Sequence, residues 1–246
     1  MPLILPPLPT ELSPNQPAEF LAQGTGNSHW LLNTAQGPLV WRQFGQAPGS
    51  DHRREIQILQ SLQEKNWVPR LLQAWPDQGL LMLQAKGQPP TAQASLAATS
   101  RSKLLELVSE LWQHPCALPT VDYRELILHY WQLTDCALNL EPLTQKLLSD
   151  LETWPQFNQL THHDLHANNL LLDDNHWTLL DWEYAAPGNP WIDAVALDRW
   201  LHLTPKEKEL LQTWLPALPS ATPWQTMNDW LEALEDLWQA TLNSYS

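Results

Sequence analysis

The hydrophobic period of this chain first changes at Lys86-Gly87-Gln88-Pro89-Pro90, and that change limits the fold more than any other feature. Upstream, His29-Trp-Leu-Leu and Leu39-Val-Trp-Arg-Gln-Phe flank Asn33-Thr-Ala-Gln-Gly-Pro, the pattern of a β-hairpin. Asp51 is placed to cap a helix running to about Asn66, with Ile56, Leu59 and Leu62 on one face. Two more strands, Leu71–Trp75 and Leu80–Gln84, enclose a Pro-Asp-Gln-Gly turn. Downstream, apolar residues recur at three and four through Ser100–Gln113, Tyr123–Ala137 and Pro142–Thr153, so residues 88–155 read as a helical block. A short β-rich insert from Leu160 to Tyr184 interrupts it, and helical spacing returns from Ile192 to the end. The expectation is an α+β chain with a small β-rich N-terminal lobe (1–87) and a larger, mainly helical C-terminal lobe (88–246). Residues 1–19 carry six prolines and read as a leader without assigned function.

Composition removes several function classes. A formal net charge of −14 opposes general affinity for nucleic acid or anionic membranes, because both require a basic surface, and it favours a small cationic partner. No apolar run reaches the eighteen or so residues of a membrane span. The start, Met-Pro-Leu-Ile-Leu-Pro-Pro, lacks the basic segment of a signal peptide, so a cytoplasmic protein is expected. Cys116 and Cys136 show no Cys-x-x-Cys spacing, which argues against a zinc ribbon or disulfide framework.

The residues that carry chemistry lie within Thr161–Tyr184. His162-x-Asp164-x-x-x-x-Asn169 is followed twelve residues later by Asp181. Leu170–Leu172 and Trp177–Leu180 are strand-like and separated by Asp173-Asp-Asn-His, so they should pair as a hairpin that returns the chain to its starting end. Asn169 enters that hairpin and Asp181 leaves it, which brings two hard oxygen donors together at a spacing suited to magnesium on nucleotide phosphates. Asp164, just ahead, is placed to accept a proton from an attacking hydroxyl. Phosphoryl transfer needs mainly positioning and charge neutralisation, and this set supplies both.

On His162-His-Asp164-Leu-His-Ala-Asn-Asn169, Asp181-Trp-Glu-Tyr-Ala and Gly188-Asn-Pro-Trp-Ile-Asp193, the chain resembles the aminoglycoside phosphotransferase and choline kinase superfamily, and within it the bacterial thiamine kinases. The resemblance implies a bilobal, protein-kinase-like fold and ATP-dependent, Mg2+-dependent phosphotransfer to a small-molecule hydroxyl. It implies that His162 buttresses the catalytic loop, Asp164 is the base, Asn169 and Asp181 hold the metal, and Asp193 braces the loop. Upstream, Gly24-Thr-Gly-Asn27-Ser28 falls at the nucleotide loop, and Arg42 falls where many kinases carry lysine, with Glu55 as its helix partner. Where the family often has Pro-Gly before the metal-binding asparagine, this chain has Ala167-Asn168.

The acceptor is expected to be a cationic alcohol, thiamine first and choline, ethanolamine or an aminoglycoside as alternatives. Trp182, Glu183, Tyr184 and Trp131 are the candidate slot, since aromatic faces and a carboxylate suit a delocalised cation. Two readings of other classes stand beside this one. One is a zinc or iron site built on His162, His163, His166 and Asp164; the other is a catalytically silent kinase-fold binding protein.

Overall fold

A computed structural model describes residues 2–90 and 96–244, and residues 91–95, inside the stretch expected to be helical, lie outside them. The described chain falls into two compact units, Met1–Thr91 with Ala167–Glu183, and Ala92–His166 with Tyr184–Ser246. No described helix is long and apolar enough to cross a membrane.

The first unit is built on a five-stranded antiparallel sheet in the order β1-β2-β3-β5-β4. Its strands are β1 (Glu19–Gln23), β2 (Ser28–Thr34), β3 (Gly37–Gln43), β4 (Leu71–Trp75) and β5 (Gly79–Leu83). The hairpin β2–β3 pairs Ser28 with Gln43, His29 with Arg42 and Trp30 with Trp41. Because side chains alternate along a strand, this register places Leu32, Leu39, Trp41 and Leu81 on one face and His29 and Arg42 on the other.

The proline-rich start covers the first of these faces. Leu3, Leu5, Leu8 and Leu12 pack against the cluster of Leu32, Leu39, Trp41 and Leu81, and Gln43 binds the backbone of Pro2 and Ile4. This segment is therefore part of the core, and β1, which the sequence reading left within or beside the leader, is the sheet's edge strand. Proline suits that place, because a segment lying on a sheet face has no ladder to complete.

Helix α1 (His52–Ser61) serves the opposite face. The Asp51 carboxylate accepts from the Arg53 and Arg54 N–H groups, as an N-cap should. The helix stops five residues short of Asn66. Leu62 is fully buried, Trp67 and Val68 follow it into the core, and Pro69 disfavours helical backbone in the residue before it.

The hairpin expected around Asp173–His176 forms from β7 (Leu170–Asp173) and β8 (His176–Leu179). It joins the first unit, although the expected boundary at residue 87 put it in the C-terminal lobe. Gln88 and Leu172 exchange two backbone hydrogen bonds, Leu179 N–H donates to the Trp67 carbonyl, and the Trp67 and Trp182 rings stack at 6.1 Å. These pairings span about a hundred residues and leave no local sequence signal.

The second unit is mainly helical: α2 (Ala98–Gln113), α3 (Tyr123–Leu133), α4 (Glu141–Leu151), α5 (Trp191–Leu201), α6 (Pro205–Gln212) and α7 (Pro223–Ser244). Helix α3 ends four residues before Ala137 because Asp135 and Cys136 both take left-handed backbone. A two-stranded pair of β6 (Gln159–Thr161) and β9 (Ala186–Gly188) crosses this unit.

Gly79 tests the sheet packing. A Cβ there would lie 2.2 Å from the Arg42 carbonyl oxygen and 2.7 Å from the Trp41 ring. Gly79→Ala should therefore cost about 1–3 kcal/mol in urea unfolding, the usual penalty of overpacking. An unchanged midpoint would contradict the close approach of β3 and β5.

Candidate functional site

In the first unit, one buried cation gathers the candidate residues. Arg42 projects from the middle of the sheet, 2% exposed, and its guanidinium pairs with Glu55 of α1 and with Asp181 beyond β8. Glu183 lies 3.7 Å away. Burying a guanidinium is costly unless its N–H groups are met, and its planar fork meets two carboxylates at once where an ammonium offers only a point charge. Glu55 is further contacted by His52, whose ring stacks on Phe44 at 3.9 Å and whose Nε2 lies 3.0 Å from the Gly45 carbonyl.

The turn between β1 and β2 is tied into the same group. Gly24 N–H donates to the Asn27 carbonyl at 2.8 Å, closing the turn. The Asn27 amide donates to Glu183 at 2.7 Å and its carbonyl oxygen accepts from Gly45 N–H at 3.0 Å. Asp51 N–H donates to the Glu183 carbonyl, so the start of α1 is tied to the same segment.

Ser28 departs from the sequence reading. Its partner across the hairpin is Gln43, which faces the proline-rich start, so the Ser28 side chain lies on the sheet face away from Arg42. Its hydroxyl is buried without a hydrogen-bond partner. The residue on Arg42's face is His29, which the sequence reading passed over and which hairpin register alone could have identified. Burial, and then the charge of Arg42, push the His29 pKa down to about 4, with Asp181 acting the other way.

Asn169 and Asp181 sit at the open end of the β7–β8 hairpin, where Leu180 N–H donates to the Asn169 carbonyl. Asp181 has left-handed backbone at φ 58° and keeps 24% of its side chain exposed. A magnesium ion fits this donor set. The side-chain donors are hard oxygens, and one guanidinium faces three carboxylates while His29 stays neutral, so the group favours a further cation.

Trp182 and Glu183 depart from the reading as an acceptor slot. Trp182 is 1% exposed, stacks on Trp67 and donates its ring N–H to the Leu179 carbonyl. Glu183 is 5% exposed and engaged by Asn27. Both are interior groups of the first unit. Tyr184 begins the second unit, and Trp131 lies half-buried on α3.

In the second unit, Asp193 of α5 is fully buried and organises the loop after β6. Its two oxygens accept from the backbone N–H groups of His162 and His163, each at 2.9 Å, and from the Trp112 ring at 3.1 Å. Burial pushes its pKa up, and His162 and these three donors oppose that. His163 takes left-handed backbone at φ 65°, a conformation that costs a non-glycine residue about 1–2 kcal/mol. Asp164 follows, its carboxylate one-third exposed and 3.4 Å from the His166 ring. His162 is fully buried.

The model of the phosphotransferase enzyme family (APH) matches residues 17–224. No curated protein sequence matches the chain. Among solved structures, choline kinase LicA from Streptococcus pneumoniae is 17% identical, with 92% of this chain and 91% of that one covered and a TM-score of 0.68. Macrolide 2'-phosphotransferase type I is 16% identical, covering 94% and 87%, with a TM-score of 0.68. The streptomycin-ATP-APH(2'')-IIa ternary complex is 14% identical, covering 94% and 86%, with a TM-score of 0.67. At these identities the likeness is one of fold.

Two predictions follow from the first unit's charges. Asn27→Asp keeps the side-chain shape but sets a carboxylate against Glu183. It should lower the melting temperature, and Glu183→Gln in the same chain should restore part of the loss. No loss in the single variant would show that the contact does not hold the turn.

The second concerns pH. Because folding depresses the His29 pKa from 6.5 to about 4, the unfolded chain binds more protons in that window, and stability must fall as pH drops from 6.5 to 4. His29→Gln should flatten that part of the stability profile in urea titrations. Parallel profiles for the two proteins would contradict it.

Proposed function

Because the chain belongs to the phosphotransferase enzyme family, matched over residues 17–224, we propose that it transfers the γ-phosphoryl group of ATP to a hydroxyl of a small organic cation. The observation that carries this reading is Arg42, a buried strand guanidinium held by Glu55 and by Asp181. That arrangement fixes a cation beside a carboxylate suited to metal, which is the equipment for neutralising phosphate charge.

In this reading the acceptor oxygen attacks the γ-phosphorus and its proton passes to Asp164. The bond from the γ-phosphorus to the bridging oxygen breaks, and ADP leaves with the electron pair. Asn169 and Asp181 would hold Mg2+, which would offset charge on the phosphates. Arg42, its fork engaged by Glu55 and Asp181, fixes Asp181 and contributes positive charge beside the phosphates, and the Gly24–Asn27 turn lies against the nucleotide. Asp193 and His162 keep the loop that carries Asp164 in one conformation.

For the acceptor, thiamine is the first choice, with choline, ethanolamine and aminoglycosides next. The acidity of the chain and the sequence resemblance support a cation. The buried Trp182 and Glu183 do not, so the slot is assigned to other residues of the second unit, among which Trp131 and Tyr184 remain candidates.

Asp164→Asn should leave the melting temperature and ATP affinity unchanged while lowering kcat by about 10²–10⁴-fold, the range for losing a positioned proton acceptor. ADP release measured over thiamine, choline, ethanolamine, an aminoglycoside and a neutral sugar checks both the base and the acceptor. Wild-type turnover in the variant would remove Asp164 as base. A preference for the neutral sugar would overturn the cationic acceptor and leave the phosphotransfer standing.

A further inference from the structure

The loop that carries Asp164 is held by a second group besides Asp193, and that group is a side chain on another element. Tyr123, the first residue of α3, lies 2.7 Å from His163 Nε2 through its hydroxyl, and the same hydroxyl accepts the Asn189 N–H at 2.7 Å. The Tyr123 ring is fixed by its own surroundings. It meets the Trp154 ring at 6.0 Å and the Trp230 ring at 5.8 Å, both edge-on, and it is 9% exposed. Asp122 caps the helix that begins there, and Val121 N–H binds the Pro187 carbonyl.

A phenol has one hydrogen to donate. Its oxygen accepts from Asn189 and keeps a second lone pair, so the contact with His163 Nε2 forms with the phenol as donor or as acceptor, depending on the tautomer of the ring. Gly188 packs tightly against both groups. A Cβ on Gly188 would lie 2.5 Å from the Tyr123 hydroxyl and 2.7 Å from His163 Nε2.

We propose that Tyr123 is a positioning residue: by donating its hydroxyl hydrogen to His163 Nε2, with the ring proton on Nδ1, it secures the left-handed bend at residue 163 from which Asp164 projects. His163 is thereby gripped twice, at its backbone N–H by Asp193 and at its ring by Tyr123. Two fixed points on one residue define a direction for the next. The proposal rests on Asp164 being the base, and its test separates the two ideas.

Nitrogen NMR of the histidine-labelled chain, with the His163 signals assigned by their loss in His163→Gln, should show His163 protonated on Nδ1 at neutral pH. Tyr123→Phe should abolish that preference. In ADP release from Mg-ATP with thiamine, choline and water as acceptors, Tyr123→Phe should lower kcat about tenfold and leave the KM for ATP unchanged. His163→Gln, which offers an oxygen acceptor near the Nε2 position, should retain more turnover than His163→Ala. A proton on Nε2 in the wild type, or a Tyr123→Phe kcat within twofold of wild type while Asp164→Asn is strongly impaired, would overturn the proposal. Full turnover in Asp164→Asn would overturn the reading of Asp164 as base, and the positioning role with it, while the tautomer would still report whether the tether exists.

Discussion

The first unit depends on Arg42. Its guanidinium sits between the sheet and α1, 2% exposed, so it depends on its carboxylate partners. Removing one member of a buried pair typically costs about 3–5 kcal/mol, because the charge left behind has nothing to compensate it. That dependence runs both ways here. Glu55 needs Arg42 in order to be buried on the first turn of α1, and Asp181 relies on it where the hairpin ends. Strand, helix and hairpin are thus joined through one side chain, and the excess of carboxylates over cations leaves the group receptive to added positive charge.

A two-faced sheet imposes the next constraint. Arg42 and Trp41 are neighbours in sequence and so point to opposite faces, which means that a polar cluster and an apolar core occupy the two sides of β3. The polar side is covered by α1. The apolar side would be left wet without the leucines at positions 3, 5, 8 and 12, which lie on Leu32, Leu39, Trp41 and Leu81. Burial of side chains of this size is worth about 1.5–3 kcal/mol each when complete, so a segment without regular hydrogen bonding can still be held.

What could be read from the sequence was local. The Asp164, Asn169 and Asp181 motif announced a hairpin because the turn residues and both strands lie within twelve positions, and that hairpin forms as expected. The Asp51 cap and the pairing of Arg42 with Glu55 were legible for the same reason. The placement of residues 167–183 in the first unit was not, since it rests on Gln88 and Trp67, about a hundred positions away. Trp182 and Glu183 were misjudged because a motif reports chemistry without reporting exposure. His29 was the recoverable omission: once Asn33–Pro38 is taken as the turn, its pairing with Arg42 follows by counting.

The two carboxylates given chemical roles are both presented from left-handed backbone. Asp181 itself has φ 58°, and His163, immediately before Asp164, has φ 65°. Neither residue is glycine, so each bend is held against a steric cost, and it persists only where surrounding contacts over-determine it. At Asp181 the surrounding contact is Arg42. At His163 it is Asp193 on the backbone and Tyr123 on the ring. The charged groups of each unit therefore do conformational as well as electrostatic work. A glycine at either bend would relieve the strain, but it would also forfeit the carboxylate at 181 or the imidazole at 163, through which each bend is held.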